Sequence, residues 1–331
     1  MKKINLAIVG ATGLVGRTFL EVLAESPIKD RIKNLYLFAS EKSAGREVEF
    51  DDRIFVIETL THRNIKNKII DYAFFSVGEE LSKKFAPVFV KYGAIVIDNS
   101  SAFRMAEGVP LIVPEVNFKK TSKPIIANPN CSTIQCMLPL RLLQKHFGLK
   151  SVAFSTYQAV SGSGVKGLQD LQESALGLPP KFYPYSIYNN CLPHIGSFKE
   201  DGFTSEEHKM INETRKILEL PNLKVSATCV RVPVMNCHSV SVTVKLKKNF
   251  NVEKVKQIFR RGENLVLVDD ITQNVYPINS MVDKKNNVLV GRVRRDLFDK
   301  KTLHFWCVAD NIRKGASANG VQILEKILKN N

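Results

Sequence analysis

Near its N-terminus the chain carries a short apolar run that ends in three glycines spaced for a tight turn. Ile4 to Val9 predicts a buried strand, and Gly10-Ala11-Thr12-Gly13-Leu14-Val15-Gly16 follows it directly. Gly10 permits the sharp turn, Gly13 lets the backbone approach a pyrophosphate, and Gly16 lets the next helix pack closely on the strand. A glycine triplet alone is weak evidence. The strand before it and the helix after it predict a dinucleotide site, because N–H groups at a helix start bind phosphates.

The rest of the first half alternates strands with helical stretches. Leu35 to Ala39, Tyr72 to Ser76 and Ala94 to Asp98 have the continuous apolar character of buried parallel strands. Between the last two, Glu79 to Val90 predicts a crossover helix. The alternation predicts an α/β fold, a Rossmann-type doubly wound parallel sheet with right-handed crossovers.

The second half of the chain changes character. Its β-rich, alternating stretches are typical of an antiparallel or mixed sheet: Ser151 to Tyr157, Val225 to Val234 and Ser239 to Leu246. A last helix, from about Ser317 to Lys329, is expected to pack back onto the nucleotide domain. We therefore predict a nucleotide-binding domain of residues 1–130 with 314–331, and an α+β domain with a mixed sheet of residues 131–313.

Composition limits the class of protein. A net charge of +16 is compatible with nucleic-acid binding, but the lysines form scattered doublets and no nucleic-acid-binding motif accompanies them. We expect instead a positive field that attracts small anions. The six cysteines contain no C-x-x-C pair, so neither a disulfide framework nor a metal site is expected. Met1 to Asn5 does not resemble a signal peptide, and no apolar run is long enough to span a membrane, so we expect a cytosolic protein.

The candidate nucleophile is Cys131, in the stretch Asn128-Pro129-Asn130-Cys131-Ser132-Thr133. Ile125 to Ala127 before it predicts a short strand, and apolar residues after it recur at helical spacing. A thiol at a helix start feels the positive end of the helix dipole, which favours the reactive thiolate. The commoner role of such a cysteine is that of a small buried hydrophobe. This stretch alone supports the two interpretations about equally.

The end of the second strand bears on the choice of cofactor. NAD-binding proteins usually place an acidic residue there to hold the ribose hydroxyls. This chain has Ser40-Glu41-Lys42-Ser43, in which Ser40, Lys42 and Ser43 offer contacts to a 2′-phosphate. Glu41 is the exception, and a solvated loop carboxylate is its simplest role. The segment favours NADP.

Arg231 and His238 form a second candidate constellation, on either side of Met235-Asn236. If those two residues make a hairpin turn, Arg231 and His238 share one face of the sheet as diagonal neighbours, about 7–8 Å apart between backbones. That leaves room for a small anion between a guanidinium and an imidazole. A salt-bridged arginine and a satisfied histidine are the alternative, which local sequence favours.

Three further segments carry candidate ligand-binding residues. A capping box at Thr204 to Glu207 leaves Glu206 and Lys209 on one helical face, either as a surface ion pair or as a reader of an amine and a phosphate. Arg104 follows a parallel strand and is a candidate phosphate clamp. The loop from Gln158 to Gly164 also follows a strand, and its glycines allow close approach to a cofactor. The alternative interpretation of the last two segments is that each is only a turn.

Over nearly its full length the chain resembles bacterial-type aspartate-semialdehyde dehydrogenase. Eight segments in order carry the resemblance: Gly10 to Gly16, Phe38-Ala39-Ser40, Asn99 to Arg104, Asn128 to Thr133, Ser155 to Gly164, Glu206 to Lys209, Arg231 to His238, and Ala309 through Asn319. The resemblance implies NADPH-dependent reduction of aspartyl phosphate to aspartate semialdehyde through a cysteine thioester, in the pathway to lysine, threonine and methionine. It also implies a homodimer formed through the β-rich domain, which would be both catalytic and dimerising.

The resemblance further implies roles for single residues. Cys131 would be the nucleophile, His238 the general acid/base and Gln158 the residue that orients the acyl group, whereas Cys136 would be structural. The substrate and phosphate would be held by Arg231 at the α-carboxylate, Glu206 at the amino group, Arg104 and Lys209 at the phosphate, and Asn130 beside them. Cofactor contacts would come from Gly10, Thr12, Gly13, Leu14, Val15, Ser40, Glu41, Ser43, Ser161, Gly162 and Asn311.

The chain departs from the family at Glu79 and Glu80, where small residues are usual. A carboxylate near a pyrophosphate is unfavourable. These two side chains must therefore point away from the cofactor, or NADP binds less tightly.

Two alternatives stay open at this point. N-acetyl-γ-glutamyl-phosphate reductase shares the architecture and the thioester chemistry. Its nucleophile segment resembles Asn-Pro-Gly-Cys-Tyr, however, and an acetylated amine would gain nothing from Glu206. The other alternative is a non-catalytic nucleotide-sensing or nucleic-acid-binding protein, which the charge suggests. Such a protein would have little reason to keep Cys131, Gln158 and His238 together.

Overall fold

The computed structural model of the protein describes residues 3–283 and 286–329. The chain divides into two units, Met1–Pro129 with Ala316–Asn331 and Asn130–Gly315. Its helices are α1 Leu14–Glu25, α2 His62–Lys66, α3 Glu79–Lys91, α4 Pro114–Asn117, α5 Cys131–Phe147, α6 Gly164–Ala175, α7 Ser205–Ile217, α8 Val252–Arg260 and α9 Ala318–Lys329. None of the helices in this described part of the chain has the length and apolar character needed to cross a membrane.

The first unit is built on a seven-stranded sheet. Its strands are β1 Ile4–Val9, β2 Ile32–Ala39, β3 Glu47–Phe50, β4 Arg53–Thr59, β5 Tyr72–Phe75, β6 Ile95–Asp98 and β7 Ile125–Ala127. They lie in the order β3-β4-β2-β1-β5-β6-β7, and every pairing is parallel except that of β3 with β4. The predicted parallel sheet is confirmed, and β3 and β4 add a hairpin at its edge.

Helices cover both faces of this first sheet. On one face α1 and α9 pack over the strands, and Phe19 stacks on Phe74 with ring centroids 3.8 Å apart. On the other face Phe85 and Phe89 of α3 are buried. Burial of each aromatic ring stabilises the unit by roughly 1.5–3 kcal/mol. The return of the C-terminal helix onto the nucleotide domain is therefore confirmed.

The second unit is built on a six-stranded mixed sheet. Its strands are β8 Leu149–Gln158, β9 Lys224–Arg231, β10 His238–Leu246, β11 Leu265–Leu267, β12 Val288–Arg295 and β13 Thr302–Ala309. They lie in the order β11-β12-β13-β10-β8-β9, with β8–β9 and β11–β12 parallel. Along β10, Val240 and Val242 are fully buried on the face that α5 covers, whereas Ser241 and Thr243 on the other face are half-buried. The predicted mixed sheet is confirmed.

The predicted hairpin at Met235-Asn236 is wrong. Strand β8 lies between β9 and β10, so Arg231 pairs with Gln158, while His238 pairs with Ala309 on the far side. Arg231 and His238 thus lie on strands that β8 separates, and they are not hairpin partners.

The connection from β9 to β10 crosses the end of β8 instead of turning back. The N–H groups of Val160 and Ser161 donate to carbonyl groups of this connection, at 2.9 and 3.2 Å. Pro233 has no N–H group and cannot continue a ladder. Cys237, with a φ of 70°, turns the chain into β10. Turn-forming residues predict that the chain changes direction, but they do not show whether the flanking strands are adjacent or are separated by another strand.

Candidate active site

Steric contacts define the glycine turn of the first unit. Gly10 has a φ of 87°, and a Cβ atom on it would lie 2.5 Å from the carbonyl oxygen of Ser76. A Cβ atom on Gly16 would lie 2.2 Å from the carbonyl oxygen of Gly10, so neither position accepts a side chain. A Cβ atom on Gly13 would meet only that same oxygen, at 3.5 Å. Gly10 and Gly16 therefore hold the turn together, and Gly13 keeps space open above it.

The start of α1 fits a pyrophosphate. Gly13 is the N-cap, no side chain caps the helix, and its first turn has no acidic residue. Leu14 and Val15 are its first two residues, with Thr12 half-buried just before them. N–H groups at such a terminus are available to an anion, and the helix dipole favours negative charge there.

The segment after β2 presents a mixed set of side chains. Ser40, Glu41 and Lys42 are exposed, whereas Ser43 is buried and its N–H donates to the carbonyl of Ser40 at 2.9 Å. Of the predicted cofactor contacts here, Ser43 is therefore the least accessible.

Glu79 is the first residue of α3. Its carboxylate accepts hydrogen bonds from Lys83, at 2.6 Å, and from the Ser101 hydroxyl, at 2.7 Å. The lysine and the positive end of the helix dipole both oppose its negative charge. The repulsion between the Glu79 carboxylate and a cofactor phosphate would therefore be reduced.

Arg104 is buried and held by backbone oxygens of the first unit. Its Nε donates to the carbonyl of Asn128, at 2.9 Å, and its Nη2 to the carbonyl of Asn99, at 2.8 Å. Side chains of the same two asparagines are hydrogen-bonded at 2.7 Å, and Asn319 donates to Asn128, also at 2.7 Å. This network fixes the guanidinium next to the start of the cysteine stretch.

Cys131 is the first residue of α5, as predicted. The side-chain oxygen of Asn130 accepts from the N–H groups of Ser132 and Thr133, at 3.0 and 3.2 Å, and so caps the helix. Cys131 is half-buried. Cys136 is fully buried, and burial raises the pKa of its thiol well above the ordinary value, as expected of a structural cysteine.

The Glu206 carboxylate lies at the centre of a buried hydrogen-bond network. One oxygen accepts from the side-chain amides of Asn130, at 2.8 Å, and Gln158, at 3.2 Å, and the other from Lys209, at 3.1 Å. Burial alone raises its pKa, but the Lys209 charge and these hydrogen bonds together lower the pKa to about 2. The predicted capping box is confirmed. Glu206 and Lys209 form the predicted pair, in which the carboxylate is buried and the lysine side chain is partly exposed.

His238 is fully buried and neutral. Its Nδ1 accepts from the Ala159 N–H at 3.0 Å, and its Nε2 lies 3.5 Å from the Gln158 amide nitrogen. Burial and then the Arg231 charge lower the pKa of the imidazole to about 3, against an opposing effect of Glu206. Because Nδ1 is an acceptor, the neutral ring carries its proton on Nε2.

Arg231 lies against the same turn. Its Nη1 donates to the carbonyl of Ala159 at 2.7 Å. A Cβ atom on Gly162 would lie 2.9 Å from that nitrogen and 3.3 Å from the His238 ring. The missing side chain therefore lets the turn approach both groups. Period-two alternation places Gln158, Arg231 and His238 on the sheet face that α5 covers, which brings them together although the hairpin does not exist.

The side chains of Ser161 and Asn311, both predicted cofactor contacts, are hydrogen-bonded to each other. The Asn311 amide donates to the Ser161 hydroxyl at 3.0 Å, and its oxygen accepts from the Cys237 N–H at 3.0 Å. Both side chains are buried.

Two further residues of the site were not predicted from the sequence. Glu213 is buried and accepts from the Asn130 N–H at 2.6 Å, which anchors the start of α5 to α7. Gly315 lies in the π-helical turn Arg313–Ser317, and a Cβ atom on it would lie 2.8 Å from the Cys131 Cβ. An isolated glycine in a helical pattern was the available signal for Gly315. Glu213 had none, because it is an ordinary helix residue in sequence.

Comparisons with known proteins agree with this geometry. The family described as semialdehyde dehydrogenase, NAD binding domain, matches residues 5–123, and semialdehyde dehydrogenase, dimerisation domain, matches residues 140–314. An aspartate-semialdehyde dehydrogenase of Campylobacter jejuni is 45% identical over 342 residues, 99% of this chain and 98% of that protein. One of Aquifex aeolicus is 46% identical over 338 residues, 98% of both. The crystal structure of aspartate semialdehyde dehydrogenase II from Vibrio cholerae, complexed with ASA, matches with a TM-score of 0.93 at 37% identity, over 99% of each chain.

Proposed function

The chain belongs to the aspartate-semialdehyde dehydrogenase family, and from this premise we propose that it reduces L-4-aspartyl phosphate to L-aspartate 4-semialdehyde with NADPH, releasing phosphate. This reaction would serve the pathway to lysine, threonine and methionine. One observation carries the proposal: a cysteine at a capped helix start follows Asn130, whose side chain binds the ionised Glu206 of the buried network.

The nucleophile in this proposal is Cys131. Its sulfur attacks the acyl carbon of aspartyl phosphate, so that a carbon–sulfur bond forms and the carbon–oxygen bond to phosphate breaks. The positive end of the α5 helix dipole would stabilise the negative oxygen of the tetrahedral intermediate. Bound NADPH supplies the hydride that reduces the thioester. The resulting hemithioacetal collapses to release the aldehyde and restore the thiol.

Charge complementarity supports the substrate assignment. Arg231 offers a planar guanidinium to the α-carboxylate, and the ionised Glu206 offers an anion to the α-ammonium. Lys209 and Arg104 are the cations proposed for the phosphate. An acetylated amine has no charge for Glu206 to bind, so this network favours an aspartyl over an N-acetylglutamyl substrate.

His238 is proposed to manage protons at the reacting oxygen. In the free protein its Nε2–H is a hydrogen-bond donor, because the ring is neutral. Arg231 is one cause of the lowered pKa. A substrate carboxylate that pairs with Arg231 would cancel part of that charge and raise the affinity of the imidazole for a proton. Substrate binding would thus prepare the general acid.

NADP is the proposed cofactor. The exposed Ser40 and Lys42 after β2 offer a hydroxyl and a cation to a 2′-phosphate, and the Glu41 side chain opposes them. The glycine turn and the uncapped start of α1 fit the pyrophosphate.

A homodimer is the proposed assembly, formed through the second unit. The face of the six-stranded sheet opposite α5 carries Tyr157 and Trp306, with ring centroids 5.2 Å apart. Tyr157 is 39% exposed, which is typical of an aromatic residue that a partner covers.

The test is an assay of NADP reduction with aspartate semialdehyde and inorganic phosphate. We expect turnover that requires phosphate, exceeds turnover with N-acetylglutamate semialdehyde, and falls by about 10⁴-fold or more in Cys131→Ala. Cys136→Ala is the matched control, expected to lower stability while keeping turnover. Normal turnover by Cys131→Ala would exclude the nucleophile assignment. Equal turnover of both aldehydes would exclude the proposed specificity.

A further inference from the structure

The residue before His238 has an unusual backbone conformation. Cys237 has a φ of 70°, in the left-handed region that side chains other than glycine, asparagine and aspartate seldom occupy. It is buried and directly precedes the first residue of β10. Such a conformation persists only when surrounding contacts enforce it.

Two asparagine side chains hold Cys237 from opposite sides of its backbone. The Asn279 amide donates to the carbonyl of Cys237, at 2.7 Å, and to that of Asn236, at 3.2 Å. The Asn279 oxygen in turn accepts from the Ser239 hydroxyl at 2.8 Å. On the other side, the Cys237 N–H donates to Asn311 at 3.0 Å. Both peptide groups of Cys237 are therefore fixed.

We infer that Asn279 is a positioning residue for His238: by clamping Cys237 in the left-handed conformation, it sets the direction in which the chain delivers the imidazole to the site. The inference rests on the proposed function, in which His238 handles the protons. Asn279 is not among the predicted site residues and lies outside every sequence motif noted above. Its side-chain hydrogen bonds to described residues go to the backbone just before His238 and to the hydroxyl just after it.

The physical consequence of losing the clamp is specific. Without the Asn279 donor, Cys237 is free to relax to a negative φ, and the peptide group that joins it to His238 rotates. The Nδ1 hydrogen bond from the Ala159 N–H, 3.0 Å long, then weakens, and Nε2 moves relative to the reacting oxygen. Groups that bind the substrate through Arg231 and Glu206 stand on other elements and are not displaced.

Asn279→Ala tests the inference. Ser239→Ala is the matched control, because it removes the hydrogen bond that Asn279 accepts but leaves the two that it donates. In Asn279→Ala we expect kcat to fall roughly 10- to 100-fold, with both KM values within about 2-fold. The double variant with Asn279→Ala and Cys237→Gly should have a kcat within about 3-fold of that of Cys237→Gly alone, because glycine adopts a positive φ without a clamp. Ser239→Ala should lose less than about 3-fold.

The outcomes separate positioning from general stabilisation. If Asn279→Ala lowers the melting temperature but keeps kcat, or if Cys237→Gly does not rescue its kcat, the inference is overturned. If the wild-type protein does not turn over aspartate semialdehyde, the proposed function fails, and the clamp is tested by ¹⁵N NMR of labelled histidine. Asn279→Ala should then shift the Nδ1 signal of His238, assigned with His238→Asn. An unchanged signal overturns the inference.

Discussion

The glycine turn of the first unit and the proposed catalytic cluster of the second are built in opposite ways. The turn consists of backbone, is local in sequence, and is specified by what is missing: Cβ atoms at Gly10 and Gly16 would collide with main-chain atoms. The cluster consists of side chains that five elements, α5, α7, β8, β9 and β10, bring together. The turn therefore tolerates no added atom at Gly10 or Gly16, whereas the side-chain cluster depends on hydrogen-bond partners for its buried polar groups.

Satisfaction of those polar groups is what makes the cluster stable when buried. Glu206 receives hydrogen bonds from Asn130, Gln158 and Lys209, and Asn130 uses both ends of its amide. Removing one member leaves a buried polar group unpaired, at a cost of about 1–3 kcal/mol. A substitution within the network therefore lowers stability even where the residue contacts no substrate.

The largest effect is expected from an added methyl group in the backbone site. Gly16→Ala would place its Cβ 2.2 Å from the Gly10 carbonyl oxygen and 2.9 Å from the Ala11 Cα, and neither atom can move alone. We expect a loss of about 3 kcal/mol in the free energy of unfolding by urea. Cofactor binding, measured by calorimetry, should be lost with it.

Gly13→Ala is the matched control, because its Cβ meets only one atom, at 3.5 Å, and Gly13 has a negative φ. Stability should stay within about 0.5 kcal/mol of wild type. Cofactor affinity should still fall, by about 10-fold, because the methyl group occupies the space left for the pyrophosphate. Equal losses of stability in the two variants would contradict this division of roles.

A slightly smaller effect is expected from glycines that border the side-chain site. Gly315→Ala would press its Cβ on the Cys131 Cβ at 2.8 Å, and a displaced nucleophile should lower kcat about 100-fold. Gly162→Ala would press on the Arg231 guanidinium at 2.9 Å, and should mainly raise the KM for aspartate semialdehyde, by about 10-fold. Steady-state kinetics measures both. If each variant changed kcat and KM alike, the nucleophile and the carboxylate site would not be separable as proposed.

The same contrast explains how much could be predicted from the sequence. Strand β1 and the glycine turn follow from local rules, and the predicted strand Ile4 to Val9 has the bounds found. The start of α5 at Cys131 is likewise local, because the Asn130 cap lies next to it. Unbroken apolar character predicted the parallel strands of the first half, and the strand pairing confirms them.

The non-local part of the site was predicted less well from residue patterns. Local pattern placed Arg231 and His238 together through a hairpin that does not exist, and the correct convergence needs β8 between their strands. Glu213 and Asn279 contact backbone atoms far away in sequence, at Asn130 and Cys237, and an interior carboxylate or loop amide has no pattern of its own. Family resemblance supplied the residue set, and the structure supplied the contacts.

The last effect is a pH dependence that belongs to the side-chain site alone. The pKa of His238 is lowered from 6.5 to about 3, so above pH 6.5 folded and unfolded chains are both neutral at this residue. Below pH 6.5 the unfolded chain binds a proton that the folded chain does not, and stability falls as the pH falls toward 3. Glu206, with a pKa of about 2 in place of 4.5, adds a loss only below pH 4.5.

Between pH 7 and pH 5, His238 lowers stability only over the interval of about 1.5 pH units below 6.5. This interval corresponds to a loss of about 2 kcal/mol in the free energy of unfolding by urea. His238→Asn should abolish this loss, because asparagine does not titrate. His146→Asn, at an exposed position near the end of α5, should retain it. The comparison is made within each variant, so a change in overall stability caused by the substitution cancels. A wild-type protein equally stable at both pH values would show that His238 is not held neutral, and the substrate-linked protonation proposed for it would lose its basis.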